Sequence, residues 1–336
     1  MQVLNLKLNN FRSHISSYYD ISDETYFIGE NGTGKTSILE SIYILFGLKS
    51  FKKQPFSSII SFNTDFFRIE SEISEAEYNS NIVCLYKNKR STLYNGDEVE
   101  NIADYIYNYP VAFYTPENLG LLSKEQVDRR NFLDRFIFYY DKKHIYDIKT
   151  YTRILSQKTA EFEKDNIDFT YIDVLNEKLI YLSNLIYNKR LKMVDELNLM
   201  LKNIYSKLEF TYEEVFIKYT SNILDESLIN KEKIMKKILY GVHRDKIEMQ
   251  LQDKIIEKFS STGQKKTFSL LSLYSFIKII EENRKISIIT LLDDFEAALD
   301  YKRASFIKGL YAENRQVLYT GVDNSRLDFK NIIKLN

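Results

Sequence analysis

The sequence predicts a mixed α/β fold that is interrupted by a helical lobe. Strand patterns are concentrated towards both ends of the 336-residue chain, and helical periodicity dominates between them, from about residue 124 to residue 208. One stretch of this middle region, residues 172–208, contains neither proline nor glycine and predicts a single long helix. We therefore expect a discontinuous α/β lobe over residues 1–120 and 240–336, with a helical lobe over residues 121–239.

The N-terminal part of the chain is rich in predicted strands. Residues 1–11 alternate leucine with polar side chains, and residues 25–28 form a short apolar run. Alternation returns in residues 67–73, residues 82–86 are continuously apolar, and Asn95-Gly96 is a typical hairpin turn. We therefore expect a mixed sheet together with an antiparallel β-meander.

After the long helix, strands and helices follow one another at short intervals. In chain order, the patterns predict strand 247–251, helix 265–280, a very apolar strand within 286–292, helix 303–312, strand 316–320 and strand 332–335. Because these strands lie beyond the helical region, we expect them to complete the sheet that the N-terminal strands begin.

The composition is that of a globular protein without a membrane segment. No stretch reaches the roughly twenty apolar residues that a bilayer span requires, and the N-terminus predicts an amphipathic strand instead of a secretory signal. Cys84 is the only cysteine, which excludes an internal disulfide and suits a cytoplasmic protein. The 47 basic and 47 acidic residues balance, so any nucleic-acid binding must use a local basic face.

A phosphate-binding pattern follows the apolar run at residues 25–28. Residues 29–36 read G-E-N-G-T-G-K-T and match G-x-x-x-x-G-K-[ST], and a helical pattern follows until Gly47. The glycines let backbone N–H groups turn towards phosphates, Lys35 reaches the β- and γ-phosphates, and the Thr36 hydroxyl suits Mg²⁺. We predict a site for ATP and Mg²⁺ whose cofactor-binding residues are Gly29, Asn31, Gly32, Thr33, Gly34, Lys35, Thr36 and Ser37.

A second chemical signal is the pair of carboxylates, Asp293 and Asp294, at the end of the apolar run 286–292. An acid at the C-terminal end of a buried parallel strand lies near the phosphate-binding loop, where it can hold Mg²⁺ directly or through water. We expect Asp293 to hold the metal with Thr36, and Asp294 to orient or deprotonate the attacking water. Lys35, Asp293 and Asp294 are thus the predicted catalytic residues. A strand that runs into an acidic turn is the alternative interpretation.

A third signal is Ser260-Ser261-Thr262-Gly263-Gln264, which precedes a predicted helix. It resembles the L-S-G-G-Q signature of ABC-type ATPases, with A-L-D at residues 298–300 in the place of the D-loop of that class. The resemblance implies a P-loop NTPase fold of the ABC-ATPase type. It also implies that Ser261, Gly263 and Gln264 bind the γ-phosphate of ATP held by a partner subunit. Taken alone, the pentapeptide is an ordinary serine-rich helix cap.

Taken together, these segments resemble the RecF family, the bacterial recombination-repair ATPases related to the heads of SMC proteins. The resemblance covers nearly the whole chain and is specific through the joint occurrence of its parts. They are N-F-R-S at 10–13, the phosphate-binding loop followed by S-I-L-E-S-I-Y at 37–43, T-P-E at 115–117, R-R-N-F-L-D at 129–134 and G-V-H-R-D at 241–245.

The resemblance implies an ATP-dependent DNA-binding protein of recombinational repair and replication maintenance. Such a protein dimerises around two ATP molecules and is released by slow, DNA-stimulated hydrolysis. The implied partners are duplex DNA at gaps or single-strand junctions, RecR and RecO-like mediators, and a second copy of the chain. Arg129 and Arg130 lie about 100° apart on one predicted helix; a solvated helix face is their plain interpretation, and the resemblance implies a DNA or dimer surface.

Other classes of ATPase share parts of this pattern. A divergent SMC-like paralogue in defence or another genome-maintenance task would carry the same motifs. An ABC transporter subunit is disfavoured by the long helical insertion and by Gly321 and Val322, which stand where that class has a switch histidine. A nuclease-coupled ATPase of the overcoming-lysogenisation type is disfavoured because only a few residues follow the last predicted strand, unless its nuclease is a separate subunit.

Overall fold

The computed structural model describes residues 1–75, 78–208, 214–223, 226–313, 315–322 and 326–335. In chain order its elements are β1 (Gln2–Val3), β2 (Asn5–Phe11), β3 (His14–Asp20), β4 (Glu24–Ile28), α1 (Lys35–Gly47), β5 (Phe67–Ser74), β6 (Asn79–Tyr86), β7 (Arg90–Tyr94), β8 (Asp97–Glu98), α2 (Ile102–Asn108), β9 (Val111–Tyr114), α3 (Gln126–Tyr140), α4 (His144–Phe162), α5 (Phe169–Tyr205), β10 (Val215–Thr220), α6 (Glu226–Met235), β11 (Lys246–Leu251), β12 (Lys254–Ile255), α7 (Ile256–Phe259), α8 (Thr262–Arg284), β13 (Ile289–Leu292), α9 (Tyr301–Tyr311), β14 (Val317–Gly321) and β15 (Asn331–Lys334). Within these ranges the chain forms two compact units: Met1–Leu119 with Thr262–Asn336, and Gly120–Ser261.

A five-stranded parallel sheet forms the centre of the first unit. Its strand order is β15-β4-β14-β13-β9, so β14 lies between the strand before the phosphate-binding loop and the strand before Asp293. All four residues of β13 are buried, as expected of a parallel strand that is covered on both faces. Because the strands are parallel, the residues that follow β4 and β13 emerge at the same edge of the sheet.

The second sheet of this unit is antiparallel and follows the order β3-β2-β5-β6-β7-β8, with β1 beside β5. Residues of β5 alternate between buried and half-buried positions, and Asn95 and Gly96 form the predicted turn with φ of 49° and 92°. Helix α1 is buried along most of its length and shares one hydrophobic core with both sheets. The predicted β-meander corresponds to this antiparallel sheet, whereas the other sheet of the unit is parallel throughout and not mixed as expected.

The second unit contains the three long helices α3, α4 and α5, and α4 and α5 pack along each other around a core that includes Ile154, Leu179 and Ile186. It also contains a small sheet of order β10-β11-β12, in which every residue of β10 pairs with β11. Residues 240–261, which we expected in the α/β lobe, lie in this unit because β11 pairs with β10. The predicted helical lobe over residues 121–239 also contains the strand β10, which the sequence pattern did not indicate.

Candidate functional site

The loop between β4 and α1 carries the predicted phosphate-binding pattern. Gly32 and Gly34 both have φ of 95°, a left-handed conformation that glycine adopts without strain. A Cβ atom on Gly34 would lie 2.5 Å from Nε2 of His14, so the loop approaches β3 this closely only because residue 34 lacks a side chain. Asn31 and Gly32 are exposed, which leaves the outer side of the loop accessible to a ligand.

Lys35 and the start of α1 place positive charge at this loop. The Lys35 ammonium group donates hydrogen bonds to the carbonyl oxygens of Gly29 and Glu30, at 2.6 and 2.7 Å. Gly34 is the N-cap residue of α1, so the first N–H groups of the helix face the same loop. A cation and a helix N-terminus at one loop together favour an anionic ligand.

Thr36 and Asp293 meet where the loop approaches the end of β13. Oγ1 of Thr36 lies 2.9 Å from Oδ1 and 3.0 Å from Oδ2 of Asp293. The Thr320 hydroxyl, from β14, donates a hydrogen bond to Oδ1 of the same carboxylate at 2.5 Å. Burial raises the pKa of Asp293, and the hydrogen bonds from Thr320 and Thr36 oppose only part of that shift. The structure therefore brings two of the predicted motifs into direct contact.

Asp294 is fixed through its backbone. Its N–H group donates to Oγ1 of Thr320 at 2.8 Å, and its carbonyl oxygen accepts a hydrogen bond from the Lys266 ammonium group at 2.5 Å. Asp294 also adopts a left-handed φ of 51°, which is uncommon for a residue other than glycine. The chain thus turns sharply at Asp294, immediately after the carboxylate that contacts Thr36.

The predicted signature residues lie at the start of α8. Ser261 is exposed and directly precedes Thr262, the first residue of that helix. The Ala298 carbonyl oxygen lies 2.8 Å from the position that a Cβ atom of Gly263 would take. The start of α8, including Gly263 and Gln264, therefore adjoins the loop that follows β13, whereas Lys35 and Thr36 lie at the loop that follows β4.

The predicted surface role of Arg129 is wrong. Arg129 is buried in the second unit, where it donates hydrogen bonds to the carbonyl oxygens of Ser123 and Ile247, both at 2.7 Å. It also forms an ion pair with Glu257 at 2.5 Å. Its guanidinium group therefore connects α3 with β11 and α7 within this unit. Arg130 is half-buried and donates to the carbonyl oxygen of Asp245 at 2.7 Å.

Two residues at the site were missed by the sequence reasoning. Thr320 lies at the C-terminal end of the predicted strand 316–320. A polar residue at this end indicates a contact with Asp293 only if β14 is known to lie beside β13. Lys266 follows Gly263 by three residues, so both lie on one face of α8. Their partners, which lie in the segment that follows β13, depend on strand order, which the sequence pattern does not specify.

The chain is similar in sequence to bacterial proteins named DNA replication and repair protein RecF. It is 28% identical to the protein of Acholeplasma laidlawii, over 98% of this chain and 97% of that protein. The identity is 29% with a protein of Clostridium botulinum (91% and 89% covered) and 26% with one of Leptospira interrogans (96% and 92% covered). The resemblance drawn from the motifs is therefore confirmed.

The fold is similar to that of solved structures. Two structures of the recombination mediator protein RecF, described as RecF-ATP and RecF-ATPrS in the RecFOR pathway, match with TM-scores of 0.85 and 0.83 at 22% identity. Each match covers 99% of this chain and 96% of the other. An SMC head bound to the C-winged helix domain of ScpA matches with a TM-score of 0.58 at 14% identity, over 99% and 94% of the two chains.

These likenesses confirm the predicted class, an α/β P-loop NTPase fold of the ABC-ATPase type. Within the described part of the chain, no helix combines the length and the apolar character needed to cross a membrane. The family model described as AAA ATPase domain matches residues 1–330. This chain belongs to the AAA ATPase domain family.

Proposed function

We propose that this protein binds and hydrolyses ATP and uses the nucleotide to control binding to DNA during replication and repair. The observation that carries the ATPase part is the contact of 2.9 Å between Thr36, at the end of the phosphate-binding loop, and the Asp293 carboxylate. The names of its relatives and its membership of the ATPase family support the biological role.

The loop fits the triphosphate of ATP. Its exposed outer side, its left-handed glycines and the N-terminus of α1 are suited to phosphate oxygens. The Lys35 ammonium group now hydrogen-bonds to two loop carbonyl oxygens, so it lies over the loop where it can exchange them for the β- and γ-phosphates.

The residues beside the loop also fit Mg²⁺. Neighbouring oxygen ligands of an octahedral Mg²⁺, each about 2.1 Å from the ion, lie roughly 3 Å apart. The hydroxyl of Thr36 and the carboxylate of Asp293 have this separation, and we propose that they hold the ion directly or through water. When bound, Mg²⁺ neutralises charge on the β- and γ-phosphates. Asp294 then orients or deprotonates the attacking water.

We further propose that two copies of the chain form the complete site. Ser261, Gly263 and Gln264 would bind the γ-phosphate of the ATP held by the partner's loop, because the N–H groups at the start of a helix are suited to an anion. The proposed partners are duplex DNA at gaps or single-strand junctions and mediator proteins of the RecR and RecO kinds, and the proposed location is the cytoplasm. The half-buried Arg130 stays a candidate contact.

The variants Lys35→Ala and Lys52→Ala test the nucleotide site. Lys52 is exposed on the loop after α1 and serves as the control. Lys35→Ala should weaken ATP binding by about tenfold or more, since a hydrogen bond to a charged group contributes about 1.5–3 kcal/mol. Lys52→Ala should bind ATP like the unaltered protein. Unchanged ATP affinity and turnover in Lys35→Ala would refute the proposed site.

The variant Asp294→Asn tests the proposed role of Asp294 in hydrolysis. It should retain ATP binding and lose phosphate release.

A further inference from the structure

Lys266 is a buried lysine that lies against the chain segment carrying Asp294. Its side chain is on α8, the residue is 4% exposed, and its ammonium group donates hydrogen bonds to the carbonyl oxygens of Asp294 and Ala297 at 2.5 and 2.7 Å. The ammonium group also lies 5.6 Å from the centre of the Tyr114 ring. A buried ammonium group is costly unless hydrogen bonds or charges compensate it.

The segment 294–298 contacts α8 at two points. Gly263 and Lys266 are three residues apart and therefore lie on one face of the helix. Lys266 holds the carbonyl oxygens of residues 294 and 297, and the Ala298 carbonyl oxygen lies 2.8 Å from the position that a Cβ atom of Gly263 would take. Asp294 and Ala298, at the two ends of the segment, both have left-handed φ, of 51° and 60°.

We propose that Lys266 is a positioning residue for ATP hydrolysis, because its two hydrogen bonds fix the segment 294–298 and with it the Asp294 carboxylate relative to Thr36 and Asp293. The start of α8 is the proposed binding point for a partner's γ-phosphate. A movement of α8 on docking would therefore reach Asp294 through Lys266 within one unit. This inference rests on the proposed ATPase function.

Packing alone does not account for a lysine at this position. Burial lowers the pKa of Lys266 to about 8, although Asp294, Asp293 and Glu296 raise it in part, so the fold tolerates an ammonium group that it partly disfavours. A methionine has nearly the same length and no such cost, and it would fill the same space. What a methionine lacks is the pair of hydrogen bonds to the Asp294 and Ala297 carbonyl oxygens.

The test compares Lys266→Met with Lys278→Met, a control on the same helix whose lysine pairs with Glu282. Lys266→Met should keep its ATP affinity, because the phosphate-binding loop is untouched. Its kcat should fall by about 10²-fold, the loss expected from a displacement of about 1 Å at a reacting group. Lys278→Met should keep the kcat of the unaltered protein. An unchanged kcat in Lys266→Met would overturn the inference.

Amide hydrogen exchange tests the same inference without ATP turnover. The N–H groups of Phe295 and Leu299 are hydrogen-bonded to the carbonyl oxygens of Thr320 and Glu296, so both should be protected. Lys266→Met should exchange faster at these amides and should leave exchange in α1 unchanged. If the unaltered protein hydrolyses no ATP, the proposed function fails. The exchange rates then test by themselves whether Lys266 fixes the segment 294–298. Equal protection at residues 295–299 in both proteins would then overturn the inference.

Discussion

A single hydroxyl group, that of Thr320, links the two carboxylate residues of the site. It donates to the side chain of Asp293 and accepts a hydrogen bond from the backbone N–H group of Asp294. Because Asp293 is buried and its pKa is raised by that burial, each hydrogen bond to its charged form favours the carboxylate that a metal ion requires.

We expect Thr320→Val to destabilise the protein and to leave the strand intact, because valine has the shape of threonine and suits a strand. The loss of a hydrogen bond to a buried charged group should lower the free energy of unfolding by about 1–3 kcal/mol. Thr290→Val is the matched control, since Thr290 is buried in β13 and makes a long contact of 3.4 Å to Ile288. Thermal denaturation of both variants measures the difference. Equal losses of unfolding free energy in the two variants would show that the hydrogen bond from Thr320 to Asp293 does not stabilise the protein.

At the scale of elements, α8 joins an exposed helix start to the buried centre of the first unit. Thr262 is exposed, the next three residues are half-buried, and most residues from Lys266 to Ile280 are buried. Lys266, which makes the hydrogen bonds to residues 294 and 297, is the first buried residue of α8. A ligand at the start of α8 is therefore one helical turn from the segment that carries Asp294.

Ser261→Arg tests whether the start of α8 serves a second chain. The arginine places a bulky cation where the partner's γ-phosphate would dock, and it leaves Lys35, Thr36 and Asp293 unaltered. The variant should bind ATP nearly normally and lose ATP-induced dimerisation and hydrolysis, as measured by sedimentation and phosphate release. Mixing it with Lys35→Ala should restore partial activity, because one of the two sites in such a heterodimer keeps both elements. If Ser261→Arg alone dimerises and hydrolyses ATP normally, residues 260–264 are only a helix cap.

The turn Val242–Arg244 in the second unit is held by buried polar contacts. Arg190 donates hydrogen bonds to the Val242 carbonyl oxygen and to the Asp245 carboxylate, at 2.8 and 2.7 Å, and Nδ1 of His243 lies 2.7 Å from the Tyr151 hydroxyl. Burial, together with the charges of nearby arginines, lowers the pKa of His243 to about 4.

The His243 environment predicts loss of stability in acid. Between its ordinary pKa of 6.5 and the folded value of about 4, the unfolded state binds more protons, so the free energy of unfolding falls as the pH falls through this window. The loss should approach about 3.5 kcal/mol at most, at about 1.4 kcal/mol per pKa unit. His243→Gln should show a shallower fall in urea titrations from pH 7 to pH 4. Identical slopes would contradict a neutral, half-buried imidazole.

At the scale of the whole molecule, balanced charge makes DNA binding a local property. With 47 basic and 47 acidic residues, the chain as a whole exerts no net attraction on a phosphate backbone. If ATP brings two copies together, it doubles the number of local basic contacts that one DNA molecule can meet.

We therefore expect the affinity for duplex DNA to fall steeply with salt and to be higher with ATP than with ADP. Fluorescence anisotropy with a labelled duplex at several salt concentrations, in both nucleotides, measures the two effects. The Lys35→Ala variant serves as the control and should lose the difference between ATP and ADP without losing the salt dependence. Equal affinity in both nucleotides at fixed salt would refute a nucleotide-controlled clamp and favour a constitutive scaffold.

The sequence by itself determined the features that depend on neighbouring residues. The phosphate-binding loop needs glycines, a lysine and a helix start within a few positions, and α1 begins at Lys35 as the pattern requires. The long helix predicted over residues 172–208 corresponds to Phe169–Tyr205, because an unbroken helical pattern without proline or glycine is a local property. The strand that precedes Asp293 was recognisable because a short run of apolar residues is also a local property.

Only the tertiary structure decided which of these segments meet. Strand β14 comes late in the chain yet lies between β4 and β13, and this order places Thr320 at the Asp293 carboxylate. Lys266 finds its carbonyl partners, and Arg129 becomes buried, through contacts between residues that are 28 to 118 positions apart. Such contacts follow from strand order and side-chain packing, which a local pattern of apolar and polar residues leaves open.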